Sequence, residues 1–142
     1  MLALVTGASS GIGLEYAKQL ARDYHTDLLL VSNQEQEQQQ VATELATQYG
    51  VKTIALYADL SKQNAAEELY QYCVDNELTV DILVNNAGVF FFNPYCETSM
   101  KRIELMLNLH MITVAKLTRL FGEQMLQREL SAEEQAQKIC RK

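Results

Sequence analysis

The segment Thr6-Gly7-Ala8-Ser9-Ser10-Gly11-Ile12-Gly13 constrains this chain more than any other. It follows a short apolar run, Leu2 to Val5, and opens an amphipathic stretch from Leu14 to Leu20. That order reads as strand, glycine turn, helix, the opening unit of an α/β domain. A glycine turn in this position aims backbone N–H groups and a helix N-terminus at an anion, typically the diphosphate of a dinucleotide. Glycine suits the turn because a Cβ would block close approach of phosphate or force a strained backbone. Gly7, Ser9, Ser10, Gly11, Ile12 and Gly13 are therefore candidate ligand-facing residues.

The remaining sequence repeats the alternation. Helix one runs from Gly11 to Asp23, and Asp27–Ser32 is an apolar run expected to be a buried strand. Gln34–Tyr49 carries Val41, Leu45 and Tyr49 at spacings of four, and Gly50 is placed to end that helix. Its run Glu35–Gln40 reads as a solvated face. Val51–Tyr57 is strand three, a helix capped by Ser61 reaches about Asn76, and Val80–Val84 is strand four. A loop from Asn85 to Glu97 precedes a long helix over Ser99–Gln127. Such β-α alternation implies a parallel sheet with helices on both faces, and right-handed crossovers favour the strand order 3-2-1-4. Residues 1–127 form one domain in this reading, and 128–142 are a polar tail or short helix with a capping box at Ser131 and Glu134.

Composition narrows the function classes. With 142 residues the chain suits a single domain. A net charge of −6 argues against a nucleic-acid binder, which needs a basic face. No apolar run approaches the roughly 20 residues of a membrane span, and no signal peptide fits before the first strand. The three cysteines, Cys73, Cys96 and Cys140, are far apart and form no CxxC pair. They suggest neither a disulfide framework nor a metal site, and the expected compartment is the cytoplasm.

Two more constellations fall just after predicted strands. Asp59-Leu60 follows strand three, and Asn85-Asn86-Ala87-Gly88 follows strand four. Ligands bind at such carboxyl ends in open α/β sheets. Asp59 can accept a hydrogen bond from an adenine amino group, Asn85 can tie neighbouring strands together, and Gly88 lets the chain pass close to a ribose or ring.

With these residues in hand the chain resembles the short-chain dehydrogenase/reductase family over about residues 1 to 127. The family's TGxxxGxG motif is met at Thr6–Gly13, its Asn-Asn-Ala-Gly motif at Asn85–Gly88, and its adenine-contacting Asp at Asp59. The resemblance implies a Rossmann-type doubly wound sheet that binds NAD or NADP across strands one to four. It places Asp59 and Leu60 at the adenine, and Asn86, Ala87 and Gly88 at the ribose next to nicotinamide. Asn33 should lie near the 2′ position. The segment Ser32-Asn33-Gln34 supplies no carboxylate there, which leans the choice toward NADP. The implied activity is hydride transfer between nicotinamide and a small carbonyl or alcohol substrate.

The chain also departs from the family. The reaction there rests on a Tyr-x-x-x-Lys pair with an upstream Ser, and none of the seven tyrosines has Lys four residues later. Strands five to seven of the family have no counterpart, so this chain by itself is expected to be inactive. The family's catalytic asparagine in the fourth helix maps onto His110, judged from Leu117-Thr118-Arg119 and from a buried stripe through Ile103, Met106, Val114, Leu117 and Phe121. His110 is thus a candidate catalytic residue or a satisfied core histidine. Phe90-Phe91-Phe92 is either core packing or part of a substrate pocket. Strand four becomes a sheet edge, which invites pairing with another chain, so either a second subunit covers that edge, as in a homo-oligomer, or the chain is a piece of a longer protein. A non-enzymatic dinucleotide-binding module and a scaffold that binds no nucleotide are the competing readings.

Overall fold

A computed structural model describes the backbone of residues 1–140 and the side chains of residues 1–131. Four parallel strands, β1 (Leu2–Thr6), β2 (Asp27–Ser32), β3 (Thr53–Tyr57) and β4 (Ile82–Val84), form one sheet in the order β3-β2-β1-β4. The helices are α1 (Gly11–Tyr24), α2 (Glu35–Tyr49), α3 (Ala65–Asp75), α4 (Met100–Leu107) and α5 (Thr113–Cys140). A five-residue π turn, Asn108–Ile112, joins α4 to α5.

Two-sided burial explains the unbroken apolar runs of β1 and β2. Side chains alternate across the sheet, so Ala3, Val5, Leu28 and Leu30 pack under α1 and α2 with Ala17, Ala21, Ala42 and Leu45. Leu4, Leu29 and Val31 face the other way, against Leu69, Cys73, Leu117 and Phe121 of α3 and α5. Burying a side chain of this size stabilises the fold by roughly 1.5–3 kcal/mol. Phe121 is fully buried and meets Tyr70 edge-on at 5.2 Å. The register aligns the strand ends: Thr6 lies beside Val31, Val31 beside Leu56, and Val5 beside Val84. All carboxyl ends therefore open on one rim.

Several local expectations change. Ser61 does not cap α3; its N–H and hydroxyl both donate to Asp59 Oδ1, at 3.1 and 2.6 Å, and the helix starts later, with Asn64 at its N-cap. The polar run of α2 is not wholly solvated. Gln38 is buried, and its amide donates to the carbonyls of Leu30 and Leu56, tying β2 to β3. The expected capping box at Ser131 is absent. Its hydroxyl donates 2.8 Å back to Gln127 O, and the helix runs unbroken to Cys140. Helical periodicity without a stop signal explains this: no glycine or proline interrupts 123–140. The side chain of Glu134 lies outside the described residues. Just beyond the expected boundary at 127, Arg128 donates to Val80 O at 2.7 Å and pairs with Asp81 at 3.3 Å.

Candidate functional site

A groove of about 480 Å³ runs along the carboxyl rim of the sheet. Four segments at the strand ends line it: Gly7, Ser9 and Ser10 after β1; Ser32, the last residue of β2, with Asn33 and Gln34; Ala58–Ser61 after β3; and Asn86–Val89 after β4. Leu105 and Leu109 close one side. The three sequence constellations thus converge in one place.

The turn after β1 has the backbone such a groove requires. Gly7 and Gly11 hold φ of 66° and 59°, the left-handed region that favours glycine. Ser10 is the N-cap of α1, extended at φ −161°, and its hydroxyl makes no capping bond. The first N–H groups of a helix have no partner within it, and α1 carries no acidic residue in its first turn. That end therefore offers an anion both donors and a favourable dipole.

Not every residue of the glycine motif meets the groove. Ile12 is 71% exposed, and Gly11, Ile12 and Gly13 are not among its lining residues. Gly13 is buried beneath the turn, where a Cβ would overlap Gly7 O and Asn86 Nδ2. Its role is close packing of α1 against the loop after β4. A Cβ on Gly7 would lie 2.9 Å from both Ala87 Cα and Asn86 Nδ2. The two loops interlock.

Thr6, overlooked as a site residue, organises that junction. It is 2% exposed, and its hydroxyl donates to Val84 O at 3.2 Å. The same oxygen accepts the N–H groups of Asn86, at 2.9 Å, and Ala87, at 3.0 Å. Asn86 Nδ2 then donates to Thr6 O and Gly7 O. The strand-tying asparagine is therefore Asn86. Asn85, expected in that role, instead donates to Thr118 Oγ1 on α5 at 3.1 Å.

Beyond β2 the groove is neutral and polar. Ser32 Oγ donates to Ser9 Oγ at 3.1 Å, and Ser9 Oγ donates to Gln34 Oε1 at 2.7 Å. The Gln34 N–H donates to Ser32 Oγ at 3.1 Å. Asn33 stands exposed at the rim beside this chain. Asp59 is the groove's single carboxylate, and one of its oxygens is committed to Ser61. Leu60 contributes to the wall but is 5% exposed and packs into the core, while its carbonyl accepts from Thr113. Ser32, Gln34, Ala58, Ser61 and Val89 also line the groove, and adjacency to the named motifs could have flagged them. Leu105 and Leu109 carry no such signal.

His110 does not lie on the buried stripe. It is exposed, and Thr113 is buried in its stead, donating to Leu60 O at 2.8 Å. The π turn is the reason: its extra residue rotates the helix phase, so the buried face passes through Leu109 and Thr113. The ring reaches the loop after β4, with Nε2 3.1 Å from Val89 N and 2.8 Å from Val89 O. The phenylalanine run is not core either. Phe90 and Phe92 are 70% and 94% exposed and meet edge-on at 4.9 Å, while Arg102 sits over Phe91 at 4.7 Å.

Among the described residues no cluster of three or more metal-ligating side chains occurs, and no helix is long and apolar enough to cross a membrane.

Comparison with known proteins agrees with this geometry. The family model for short chain dehydrogenase matches residues 1–132. A very-long-chain 3-oxoacyl-CoA reductase of Anas platyrhynchos is 35% identical over 130 residues, covering 89% of this chain and 41% of the relative. The inactive hydroxysteroid dehydrogenase-like protein 1 of Homo sapiens is 36% identical over 105 residues, 72% of this chain and 31% of its own length. A short-chain dehydrogenase from Sphingobium yanoikuyae, solved in complex with NADPH, superposes with a TM-score of 0.82 at 29% identity. The match covers 89% of this chain and 49% of that one. The chain thus spans less than half the length of these relatives. With its motifs, its strand order and a family match over nearly its whole length, the chain belongs to the short-chain dehydrogenase family.

Proposed function

We propose that this chain is the dinucleotide-binding part of an NAD(P)-dependent oxidoreductase. The observation that carries the reading is the single groove on which the turn after β1, Asp59 and the Asn86–Gly88 loop converge. Ser9, Ser10 and the N-terminus of α1, which begins Gly11-Ile12-Gly13, would hold the diphosphate, with Gly7, whose own N–H donates to Val31 O at 2.7 Å, shaping the turn beside it. Asp59 and Leu60 would meet adenine, and Asn86, Ala87 and Gly88 the nicotinamide ribose. The groove residues fit such a ligand: backbone donors at one end, a carboxylate for an amino group, and hydroxyl and amide groups between. When bound, the nicotinamide supplies hydride to a carbonyl or takes it from an alcohol. The chain's own part is to bind and orient that cofactor.

NADP is the preferred form in this reading. The polar chain of Ser9, Ser32 and Gln34 beside Asn33 carries no carboxylate to repel a 2′-phosphate. Relatives named as 3-oxoacyl-CoA reductases support a carbonyl substrate. No tyrosine here precedes a lysine by four residues, so the chain lacks the family's proton donor and should not turn over substrate unaided. The half-buried edge strand β4 would be covered by a second copy in a homo-oligomer. Cytoplasmic residence accords with a buried free thiol at Cys73.

Titration of NADPH and NADH fluorescence tests the reading. Saturable binding, tighter for NADPH and lost in Gly13→Ala, is expected. A folded chain that binds neither nucleotide would favour the scaffold. Light scattering that finds only monomers would refute the oligomer.

A further inference from the structure

The first turn of α2 follows directly on Asn33 and Gln34, which line the groove after β2. Three of its side chains, Glu35, Gln36 and Glu37, are exposed, and the N-cap Gln34 makes no side-chain capping bond. Gln38 is the first buried residue of the helix. It is also the one polar side chain on a buried face otherwise made of Val41, Ala42 and Leu45.

That glutamine lies over the seam between β2 and β3. Its Nε2 donates to Leu30 O and, at 3.3 Å, to Leu56 O, two carbonyls one residue out of register across the seam. An amide nitrogen has two hydrogens, so both bonds are made at once; the flipped amide would set oxygen against two oxygens. Oε1 is left buried and, among the described residues, without a partner. An unpaired buried acceptor costs stability, and leucine would fill similar space without that cost. What glutamine adds is direction: two bonds to the strands fix where the helix start sits over them. The path from there to the groove is short. Gln38 N–H donates to Gln34 O at 3.1 Å, Gln34 N–H donates to Ser32 Oγ, and Gln34 Oε1 accepts from Ser9.

We propose that Gln38 is a positioning residue that pins the first turn of α2 to the β2–β3 seam and so sets Asn33 and Gln34 for recognition of a 2′-phosphate. The recognition rests on the nucleotide-binding reading, but the pin itself is a property of the free protein.

The test uses the intact chain labelled with ¹⁵N, with Gln38→Leu and Gln38→Met beside it. Met is unbranched like Gln and guards against a leucine that packs badly. Amide exchange at Gln34 and Leu45 is measured without nucleotide, melting temperature is recorded, and NADP⁺ and NAD⁺ affinities are measured by calorimetry. Both variants should melt no lower than the wild type. They should speed exchange at Gln34 and weaken NADP⁺ binding by about five- to tenfold each, the size of one ordinary hydrogen bond. Exchange at Leu45 should hold, and NAD⁺ affinity should change by less than about twofold. Unchanged Gln34 exchange in both variants would overturn the pin. So would a lower melting temperature with exchange raised through Leu45, since Gln38 would then only support the core. Equal weakening of NADP⁺ and NAD⁺ would overturn the link to the 2′-phosphate. Absence of binding of either nucleotide by the wild type would instead overturn the nucleotide reading, with Gln34 exchange still deciding the pin.

Discussion

Replacing Thr6 by valine should unfasten the floor of the groove. Valine keeps the β-branched shape of a strand residue and removes only the hydroxyl. That oxygen accepts two backbone N–H groups, from Asn86 and Ala87, and donates to Val84 O. At a residue 2% exposed, water does not readily replace it. Each orphaned N–H costs about 1–2 kcal/mol, so the variant should lose about 2–4 kcal/mol. Thr6→Ser is the control. It keeps the hydroxyl and loses one methyl, worth about 0.8 kcal/mol. With a urea m-value of about 1.5 kcal/mol per molar for a chain of this size, valine should lower the unfolding midpoint by roughly 1.5–2.5 M and serine by about 0.5 M. Circular dichroism during urea titration reads both. If Thr6→Val proves as stable as Thr6→Ser, the hydroxyl is not the node described, and the reasoning about the two interlocked loops fails with it.

Glycine substitutions should separate by their surroundings. Gly13→Ala forces a Cβ into Gly7 O and Asn86 Nδ2, and should abolish nucleotide binding and lower the melting temperature, as calorimetry would show. Gly122→Ala, in open space on the outward side of α5, should stabilise by about 0.5–1 kcal/mol; a lower melting temperature would show that this side is covered. Asn33→Asp should move cofactor preference toward NADH by about tenfold in fluorescence titration, because a carboxylate repels a 2′-phosphate and accepts from a 2′-hydroxyl. Thiol labelling followed by peptide mapping should modify exposed Cys96 quickly and spare Cys73. Burial pushes the Cys73 thiol up to about 11, so its thiolate is scarce until the pH approaches that value; fast labelling at neutral pH would contradict its placement.

The fold was largely legible because its signals are local and repeated. β2 over Asp27–Ser32 and the glycine stop of α2 at Gly50 were read directly from apolar runs and punctuation. The β-α alternation with right-handed crossovers narrowed the strand order to the one observed. What escaped the sequence depends on packing partners far along the chain. Thr6 meets residues about eighty positions away, and no periodicity announces a hydroxyl with three partners. The phase slip at Asn108–Ile112 moved His110 from the expected buried stripe to the loop beside Val89, since a pattern of period 3.6 assumes an unbroken α-helix. Ser61 had a respectable capping signature, yet Asp59 two residues earlier claimed its hydroxyl.

The most direct measurement is a map of ¹⁵N–¹H shift changes as NADP⁺ is added to the labelled chain. The changes should gather at Gly7, Ser9, Ser10, Asn33, Asp59 and Gly88, residues that line the rim of the sheet. Saturating nucleotide that leaves those amides unmoved, or that shifts only residues elsewhere on the surface, would contradict it.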